Sequence, residues 1–219
     1  AGILIEINCE TDFVAKNDEF IKFVEEISDL ALKNSGKLEN ILNAKMKNNK
    51  IVKDNLVALI SKIGEKITLR RSDFIESNQS INFSYMHSSL KTNLGKIGVI
   101  ISLKSTKSKE ELKELGKQIS MHVAALAPLA IDKDGLDSGI LAKEKEIITE
   151  ELKSSGKDPK IIDKIAMGKL NKFINDNTLL NQEWIMDPKK KVKDIIKDFE
   201  GKDKIKIKEF FRYKVGEGL

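Results

Sequence analysis

The residues that could support nucleophilic or metal chemistry are few in this chain of 219 residues. It contains one cysteine, Cys9, and two histidines, His87 and His122. A catalytic thiol needs a base that promotes its ionisation, but Cys9 adjoins a stretch typical of a buried strand, where an inert packed thiol is more common. One cysteine and two distant histidines also provide no zinc-binding spacing. We therefore expect neither a cysteine hydrolase nor a resident metal or other cofactor.

Both histidines have simpler explanations than catalysis. His87 continues the apolar side of a strand pattern, which predicts a hydrogen-bonded histidine in the core or at a sheet edge. His122 lies on the apolar stripe of a helix pattern, near the end of that helix, where a packed side chain is the default. The sequence also has no Gly-x-x-x-x-Gly-Lys-Ser/Thr loop that could bind nucleotide phosphates. These residues favour a protein that is not an enzyme.

A short connection near the start of the chain offers a different kind of chemistry. Thr11 to Ala15 places the acid Asp12 beside the aromatic Phe13. The apolar stretch before it, Gly2 to Ile7, predicts a strand buried on both faces, and Asn17 after it is a good N-cap for an amphipathic helix. A loop held between rigid elements often carries function. Two interpretations remain open: Phe13 fills the core of its own domain while Asp12 caps a helix, or Phe13 inserts into a partner protein.

The pattern downstream of this connection predicts a compact α+β unit. Helices are predicted at residues 17–34 and 52–64, and residues 38–46 are predicted to form a short polar-rich helix or turn. Alternating apolar residues at 67–70 and 81–86, separated by a polar turn, predict an antiparallel hairpin. With the first strand, this hairpin could form a three-stranded sheet covered by the helices.

The same plan then starts again, which suggests an internal duplication. The polar segment 88–93 is the expected boundary, so residues 1–93 and 94–219 are predicted to form two related subdomains, each a small antiparallel sheet covered by helices. Ser108 and Glu111 form a plausible capping box for the first helix of the second subdomain. The second subdomain is predicted to contain a strand, this helix, a late helix and a final strand, at residues 98–101, 108–126, 192–199 and 205–213.

An insertion in the second subdomain, at about residues 139–175, is predicted to be an antiparallel helical hairpin of the coiled-coil type. Apolar positions recur at helical spacing over residues 140–152, and Asp158-Pro159 opens a second helix. The connection Ser154–Lys157 is short, which makes the two helices antiparallel neighbours. Such a hairpin either packs against its own subdomain or offers one face to a partner.

Composition argues against a membrane protein. The hydrophobic fraction is 40%, no long apolar run or signal peptide is present, and a single cysteine fits a reducing, cytoplasmic compartment. The 39 basic and 34 acidic residues give a net charge of +5, but they are well mixed, which is typical of a solvated surface. The alternative function, a basic RNA-binding or ribosome-associated module, is weakened because no aromatic-rich exposed strand is predicted. We expect no membrane and no specific nucleic acid as partner.

Several segments match the motifs of one known family. The first is Thr-Asp-Phe-Val-Ala-Lys-Asn, which starts at Thr11 between the first strand and the first long helix. The other blocks follow in the order of the family and are Ile63–Ile67 with Arg70-Arg71, Met121–Ala125, Met186–Pro188 and Val215–Gly218. Together they cover nearly the whole chain, which in these blocks resembles the elongation factor Ts family. Family members normally carry a small helical domain before the first strand, so the sequence predicts the core of a family member without that domain.

The resemblance implies a function in protein synthesis. Members of this family are nucleotide exchange factors for the translation GTPase elongation factor Tu. This GTPase, in its GDP-bound and nucleotide-free forms, is therefore the expected partner. The residues that match the family motif, Thr11, Asp12, Phe13 and Val14, would dislocate the magnesium ion and open the GDP site without a covalent step.

Two further expectations come from the resemblance alone. The family histidine that matches His122, next to Met121, reaches toward the GTPase near its phosphate-binding region. Some family members dimerise through the coiled-coil insertion, so a homodimer through residues 139–175 is also expected.

Overall fold

The computed structural model describes residues 1–154 and 159–219 and has the expected α+β fold. The strands are β1 (Gly2–Asn8), β2 (Thr68–Ile75), β3 (Ile81–Lys91), β4 (Leu94–Lys104), β5 (Glu183–Trp184), β6 (Asp187–Lys191) and β7 (Lys206–Lys214). The helices are α1 (Asp12–Ala15), α2 (Asp18–Lys33), α3 (Leu38–Asn43), α4 (Val52–Ile63), α5 (Lys109–Leu126), α6 (Ser138–Ser154), α7 (Pro159–Asn177) and α8 (Val192–Glu200). The described part of the chain has no helix long and apolar enough to cross a membrane.

Strand pairing differs from the predicted hairpin. β1 pairs antiparallel with β2 in a two-stranded sheet. β3 pairs with β4, and β4 also pairs with β7, so that β4 is the centre of a three-stranded antiparallel sheet. The hairpin predicted between residues 67–70 and 81–86 is therefore wrong, as is the three-stranded sheet that included the first strand. The error has a physical cause, because alternating apolar residues identify a strand but not the strand with which it pairs.

The chain divides into two compact units, residues 1–124 with 206–219 and residues 125–205. A boundary between residues 93 and 94 would cut the β3–β4 hairpin, so the predicted division at that point is corrected. The polar segment 88–93 belongs to the tip of this hairpin, where polar residues with positive φ angles resemble those of a linker. The internal duplication itself stays a prediction.

Strand β1 is covered on both faces, as the sequence predicts. Ile3, Ile5 and Ile7 pack against a buried cluster formed mainly by side chains of α2, α3 and α4. Leu4 points the other way and packs with Ile75, Ile100 and Tyr213. This alternation fixes the position of the chain that leaves β1 toward α1.

The local signals at the helix ends are confirmed. The side chain of Asn17 accepts hydrogen bonds from the backbone N–H groups of Glu19 and Phe20, at 2.8 and 3.3 Å. Gly64 ends α4 in the left-handed conformation with a φ of 80°, which glycine adopts without strain. The carboxylate of Glu111 accepts from Ser108 N at 2.8 Å, and Glu111 N donates to Ser108 Oγ at 3.4 Å, which confirms the capping box.

The second unit contains the predicted helical hairpin. Glu151 in α6 forms an ion pair of 2.8 Å with Lys169 in α7, and Leu141 packs in one cluster with Leu170 and Ile174. The start of α6 at Leu141 therefore lies near the end of α7 at Ile174, and Glu151 further along α6 meets Lys169 further back in α7, which confirms the antiparallel arrangement. Of the predicted connection Ser154–Lys157, Ser154 ends α6, and the rest lies outside the described residues, as does the predicted helix start at Asp158. The short hairpin of β5 and β6 was not predicted, because these strands of two and five residues carry no alternating apolar pattern.

Candidate functional site

The connection after β1 is a helical turn rather than an open loop. Residues 12–15 form the one-turn helix α1, and Ala15 N donates to Thr11 O at 3.1 Å. Thr11 is the N-cap, because its Oγ1 accepts a hydrogen bond from Val14 N at 3.3 Å. The expectation that Asp12 caps a helix is therefore wrong, and Asp12 instead supplies negative charge in the first turn. We call Thr11 and α1 together the Phe13 turn.

Neighbouring side chains of the Phe13 turn lie on opposite sides of it. The ring of Phe13 is 89% exposed, the largest exposure among the large hydrophobic residues that the structure describes. Val14 is only 7% exposed and packs with Phe20 and Ile67. The interpretation in which Phe13 fills its own core is therefore wrong for the isolated chain. Val14 lies in the core, so it anchors the turn and does not face solvent.

Two glutamates connect the Phe13 turn to the chain that leaves α4. Glu65 accepts two hydrogen bonds from Thr11, one from its backbone N–H at 3.1 Å and one from its Oγ1 hydroxyl at 2.6 Å. Glu10 accepts a hydrogen bond from Lys66 N at 3.1 Å. We call these three bonds the Glu65 clamp. Gly64, with its left-handed backbone, directs the chain so that Glu65 follows the end of α4 directly.

The charged surface around the turn is paired. Lys96 Nζ lies 3.1 Å from Asp12 Oδ1, and both side chains are exposed. Lys62 Nζ lies 2.6 Å from Glu19 Oε1 beside a shallow depression of about 370 Å³. This depression is lined by Phe13, Val14, Asn17, Glu19, Lys62 and Ile63. A shallow site with an exposed aromatic at its rim suits contact with another protein better than capture of a small molecule.

Cys9 lies next to this site but is not an activated nucleophile. Its Sγ donates to Thr11 O at 3.4 Å. Burial raises the pKa of the Cys9 thiol, and the carboxylates of Glu65 and Asp12 raise it further. A nucleophilic cysteine needs the opposite shift. The structure therefore gives the cysteine hydrolase no support.

The two histidines lie in different surroundings. His87 is an exposed residue of β3 whose Nδ1 lies 3.3 Å from Tyr85 Oη, which agrees with an edge histidine rather than a core one. His122 in α5 is completely buried, and Met121 is half-buried. In this conformation the chain does not present His122 to a partner, so the packed interpretation describes the isolated chain. Contact of Met121 and His122 with a partner stays a prediction.

The sequence analysis did not predict a buried charge network that is centred on Glu6 of β1. Glu6 is 2% exposed and accepts hydrogen bonds from Arg70 Nη1 at 3.0 Å, Arg71 Nε at 2.6 Å and Gly216 N at 3.0 Å. We call these four residues the Glu6 network. Burial alone would raise the pKa of Glu6, but these hydrogen bonds outweigh it and hold the pKa below its usual value. A lone carboxylate inside an apolar strand is the sequence signal that could have identified this network.

Tyr213 covers the network from β7. The guanidinium carbon of Arg71 lies 4.2 Å from the centre of its ring, and its hydroxyl donates a hydrogen bond to Asp73. Burial and the bond to Asp73 raise the pKa of Tyr213 well above its usual value. The network therefore joins the last strand to β1 and β2 around the buried carboxylate of Glu6.

Within residues 1–154 and 159–219 there is no group of three or more His, Cys, Asp or Glu side chains that could hold a metal. The absence of a cofactor stays a prediction.

Comparison with known proteins agrees with the motifs. The model of the protein family described as "Elongation factor TS" matches residues 10–217. A protein named elongation factor Ts from Rickettsia massiliae is 39% identical over 221 residues, which include all of this chain and 71% of the relative. Its counterpart from Nitrobacter hamburgensis is 39% identical over 220 residues, with the same coverage of both chains. This chain therefore belongs to the elongation factor Ts family.

Proposed function

We propose that this chain is a nucleotide exchange factor that binds the translation GTPase elongation factor Tu and promotes the release of GDP. Membership of the elongation factor Ts family supports a role in protein synthesis. The described residues around Cys9 show no arrangement suited to nucleophilic catalysis. In this proposal the chain binds elongation factor Tu and thereby weakens its binding of GDP, without a covalent step.

The observation that carries this proposal is the exposure of Phe13 on an anchored turn. An aromatic ring that is 89% exposed gains almost nothing from the fold of its own chain. Burial of such a ring between elements of a partner would contribute about 1.5 to 3 kcal/mol to the complex. Val14 and the Glu65 clamp hold the backbone beneath the ring, so little additional ordering is needed when the ring enters a partner.

Asp12 supplies negative charge next to Phe13. Its carboxylate is exposed and contacts only Lys96 among the side chains for which a bond is described. Magnesium binds oxygen ligands and keeps several waters, and bound guanine nucleotide depends on it to neutralise its phosphates. We infer that docking of Phe13 brings Asp12 close enough to disturb the water or acidic groups around the magnesium of the GTPase. Release of GDP then follows from the weakened phosphate site.

The two binding events are necessarily reciprocal. If the chain lowers the affinity of the GTPase for GDP by some factor, GDP must lower the affinity of the GTPase for the chain by the same factor. The chain is therefore expected to bind nucleotide-free elongation factor Tu more tightly than the GDP-bound form.

The α6–α7 hairpin is a second candidate contact surface. Its inner side chains Leu141, Leu170 and Ile174 pack within the second unit, whereas Ile147, Ile161 and Met167 are at least half exposed. We propose that these exposed residues mediate the homodimer that the resemblance implies. The alternative RNA-binding function has less support, because every Phe, Tyr and Trp side chain in the described strands is buried or half-buried, so none offers a fully exposed ring on which a base could stack.

Release of a fluorescent GDP analogue from elongation factor Tu tests the proposed function. The wild-type chain is expected to accelerate release in a saturable manner, and excess GDP is expected to dissociate the complex. Absence of any acceleration at saturating concentrations of chain with a normal circular dichroism spectrum would refute the exchange function.

A further inference from the structure

The Phe13 turn is held from two sides by interactions of different kinds. On the inner side, Val14 packs into the core with Phe20 and Ile67. On the outer side, Thr11 donates two hydrogen bonds to the carboxylate of Glu65, and its Oγ1 accepts the capping bond. A helix of four residues does not hold its shape alone, because helix nucleation is unfavourable. The orientation of Phe13 therefore depends mainly on these two anchors, because the ion pair between Asp12 and Lys96 is exposed and contributes little.

Glu65 is placed to act through Thr11. It lies 54 residues further along the chain, and its two carboxylate oxygens accept from the two donors of Thr11. The hydroxyl of Thr11 in turn caps α1 through Val14 N. Glu65 therefore fixes the donor direction of the hydroxyl and leaves the oxygen free to accept the capping bond. Glu10 adds a further link between the two segments, because its carboxylate accepts a hydrogen bond from Lys66 N.

We propose that Glu65 is a positioning residue for nucleotide exchange, which holds the Phe13 turn in the orientation that enters the partner. This inference rests on the proposed exchange function. Pre-organisation of a binding element removes part of the ordering cost of association. Loss of Glu65 should therefore raise the concentration of chain needed for half-maximal exchange, and change the maximal rate much less.

Cys9 provides a reporter of the clamp that does not require the partner. It is the single cysteine of the chain, it is half-buried, and its thiol donates to Thr11 O. The charges described as acting on the thiol are those of Glu65 and Asp12. The limiting rate of labelling, obtained by fitting the pH profile of the rate to one thiol ionisation, reports how far the turn opens. The pH at which labelling is half-maximal reports the negative charge around Cys9.

Three variants separate position from charge. Glu65→Ala removes both bonds to Thr11, whereas Glu65→Gln removes the charge but can accept from Thr11 N and donate to Thr11 Oγ1. Glu39→Ala is the matched control, because Glu39 is an exposed acid in the first turn of α3, outside this site. Thermal melts of all three should stay close to the wild type, because surface hydrogen bonds contribute little to stability.

We expect Glu65→Ala to raise the limiting rate of Cys9 labelling and the half-saturating concentration for GDP release by about three- to tenfold, the range for loss of one or two hydrogen bonds. Glu65→Gln should lower the pKa of Cys9 but restore most of the exchange. Glu39→Ala should behave as the wild type.

The outcomes distinguish this inference from the proposed function. If Glu65→Ala leaves Cys9 labelling unchanged, the clamp does not hold the turn, whatever the activity of the wild type. If labelling rises while exchange by Glu65→Ala equals that of the wild type, the positioning role is refuted. If the wild-type chain itself does not release GDP, the proposed function fails, and with it the role of Glu65 in exchange. Equal losses in Glu65→Ala and Glu65→Gln would show that charge matters and position does not, and would overturn the proposal.

Discussion

Two carboxylates join distant parts of the first unit, and their surroundings are opposite. Glu6 is 2% exposed and lies among two arginines and the backbone of Gly216. Glu65 is half-buried and binds Thr11 beside a phenylalanine that is 89% exposed. Removal of one partner from a buried ionic group leaves uncompensated charge, whereas surface bonds are replaced by water. The comparison indicates that the Glu6 network stabilises the fold, whereas the Glu65 clamp holds the turn from which the side chain of Phe13 is exposed.

The largest difference should appear in stability. Glu6→Ala leaves Arg70 and Arg71 without their carboxylate and is expected to lower the free energy of unfolding by about 3 to 5 kcal/mol. Glu65→Ala is expected to lower it by no more than about 1 kcal/mol. Urea denaturation of both variants measures this difference. Equal losses would show that the two sites do not differ in kind.

The next largest effect on stability is expected for Val14, which lies in the Phe13 turn. Its side chain is 7% exposed, so Val14→Ala should lower the free energy of unfolding by about 1.5 to 3 kcal/mol, the value for burial of such a side chain. The substitution should impair exchange only because it unfolds the turn, so the impairment should be smaller at low temperature. Denaturation midpoints and exchange assays of Val14→Ala measure the two effects. A variant as stable as the wild type but impaired in exchange would contradict this prediction.

The pH dependence of stability should also separate the two sites. Because the pKa of Glu6 is lower in the folded chain than in the unfolded one, its contribution is complete above the unfolded value of about 4.3 and is lost as the pH falls through the folded value. Glu6→Gln should therefore be less sensitive to acid than the wild type over this range, although less stable at neutral pH. Urea denaturation between about pH 6 and pH 3 measures both quantities. An unchanged acid slope in Glu6→Gln would rule out this linkage.

Asp12 should have the smallest effect on stability, because its side chain and that of Lys96 are both well exposed. Asp12→Ala should nevertheless slow GDP release several-fold when magnesium is present. The difference from the wild type should shrink when magnesium is chelated, because the step that we propose for Asp12 has then already occurred. Stopped-flow release with and without chelator gives this comparison, and an equal deficit in both conditions would argue against an action on the magnesium site.

Sequence reasoning succeeded where the determinants are local. The cap at Asn17, the left-handed Gly64 and the pair Ser108–Glu111 involve neighbours in the chain, so their residue types were sufficient. It failed for strand pairing, which depends on contacts between remote segments. The Glu65 clamp was missed for the same reason, since Thr11 and Glu65 are 54 residues apart.

The orientation of Phe13 could not be obtained from its residue type. A phenylalanine after an apolar strand suits a core as well as an interface, and the sequence left both interpretations open. The short helix α1 decides between them, because it directs Val14 inward and leaves Phe13 outside. The cap that sets the register of this helix is Thr11, not Asp12.

The most direct test of the account is Phe13→Ala, with GDP release and thermal unfolding measured on the same preparation. The account predicts a melting temperature close to that of the wild type and a loss of about tenfold or more in exchange at limiting concentration, equivalent to the burial of one aromatic side chain in the complex. A large fall in melting temperature, or exchange equal to that of the wild type, would contradict the claim that Phe13 is directed at the partner.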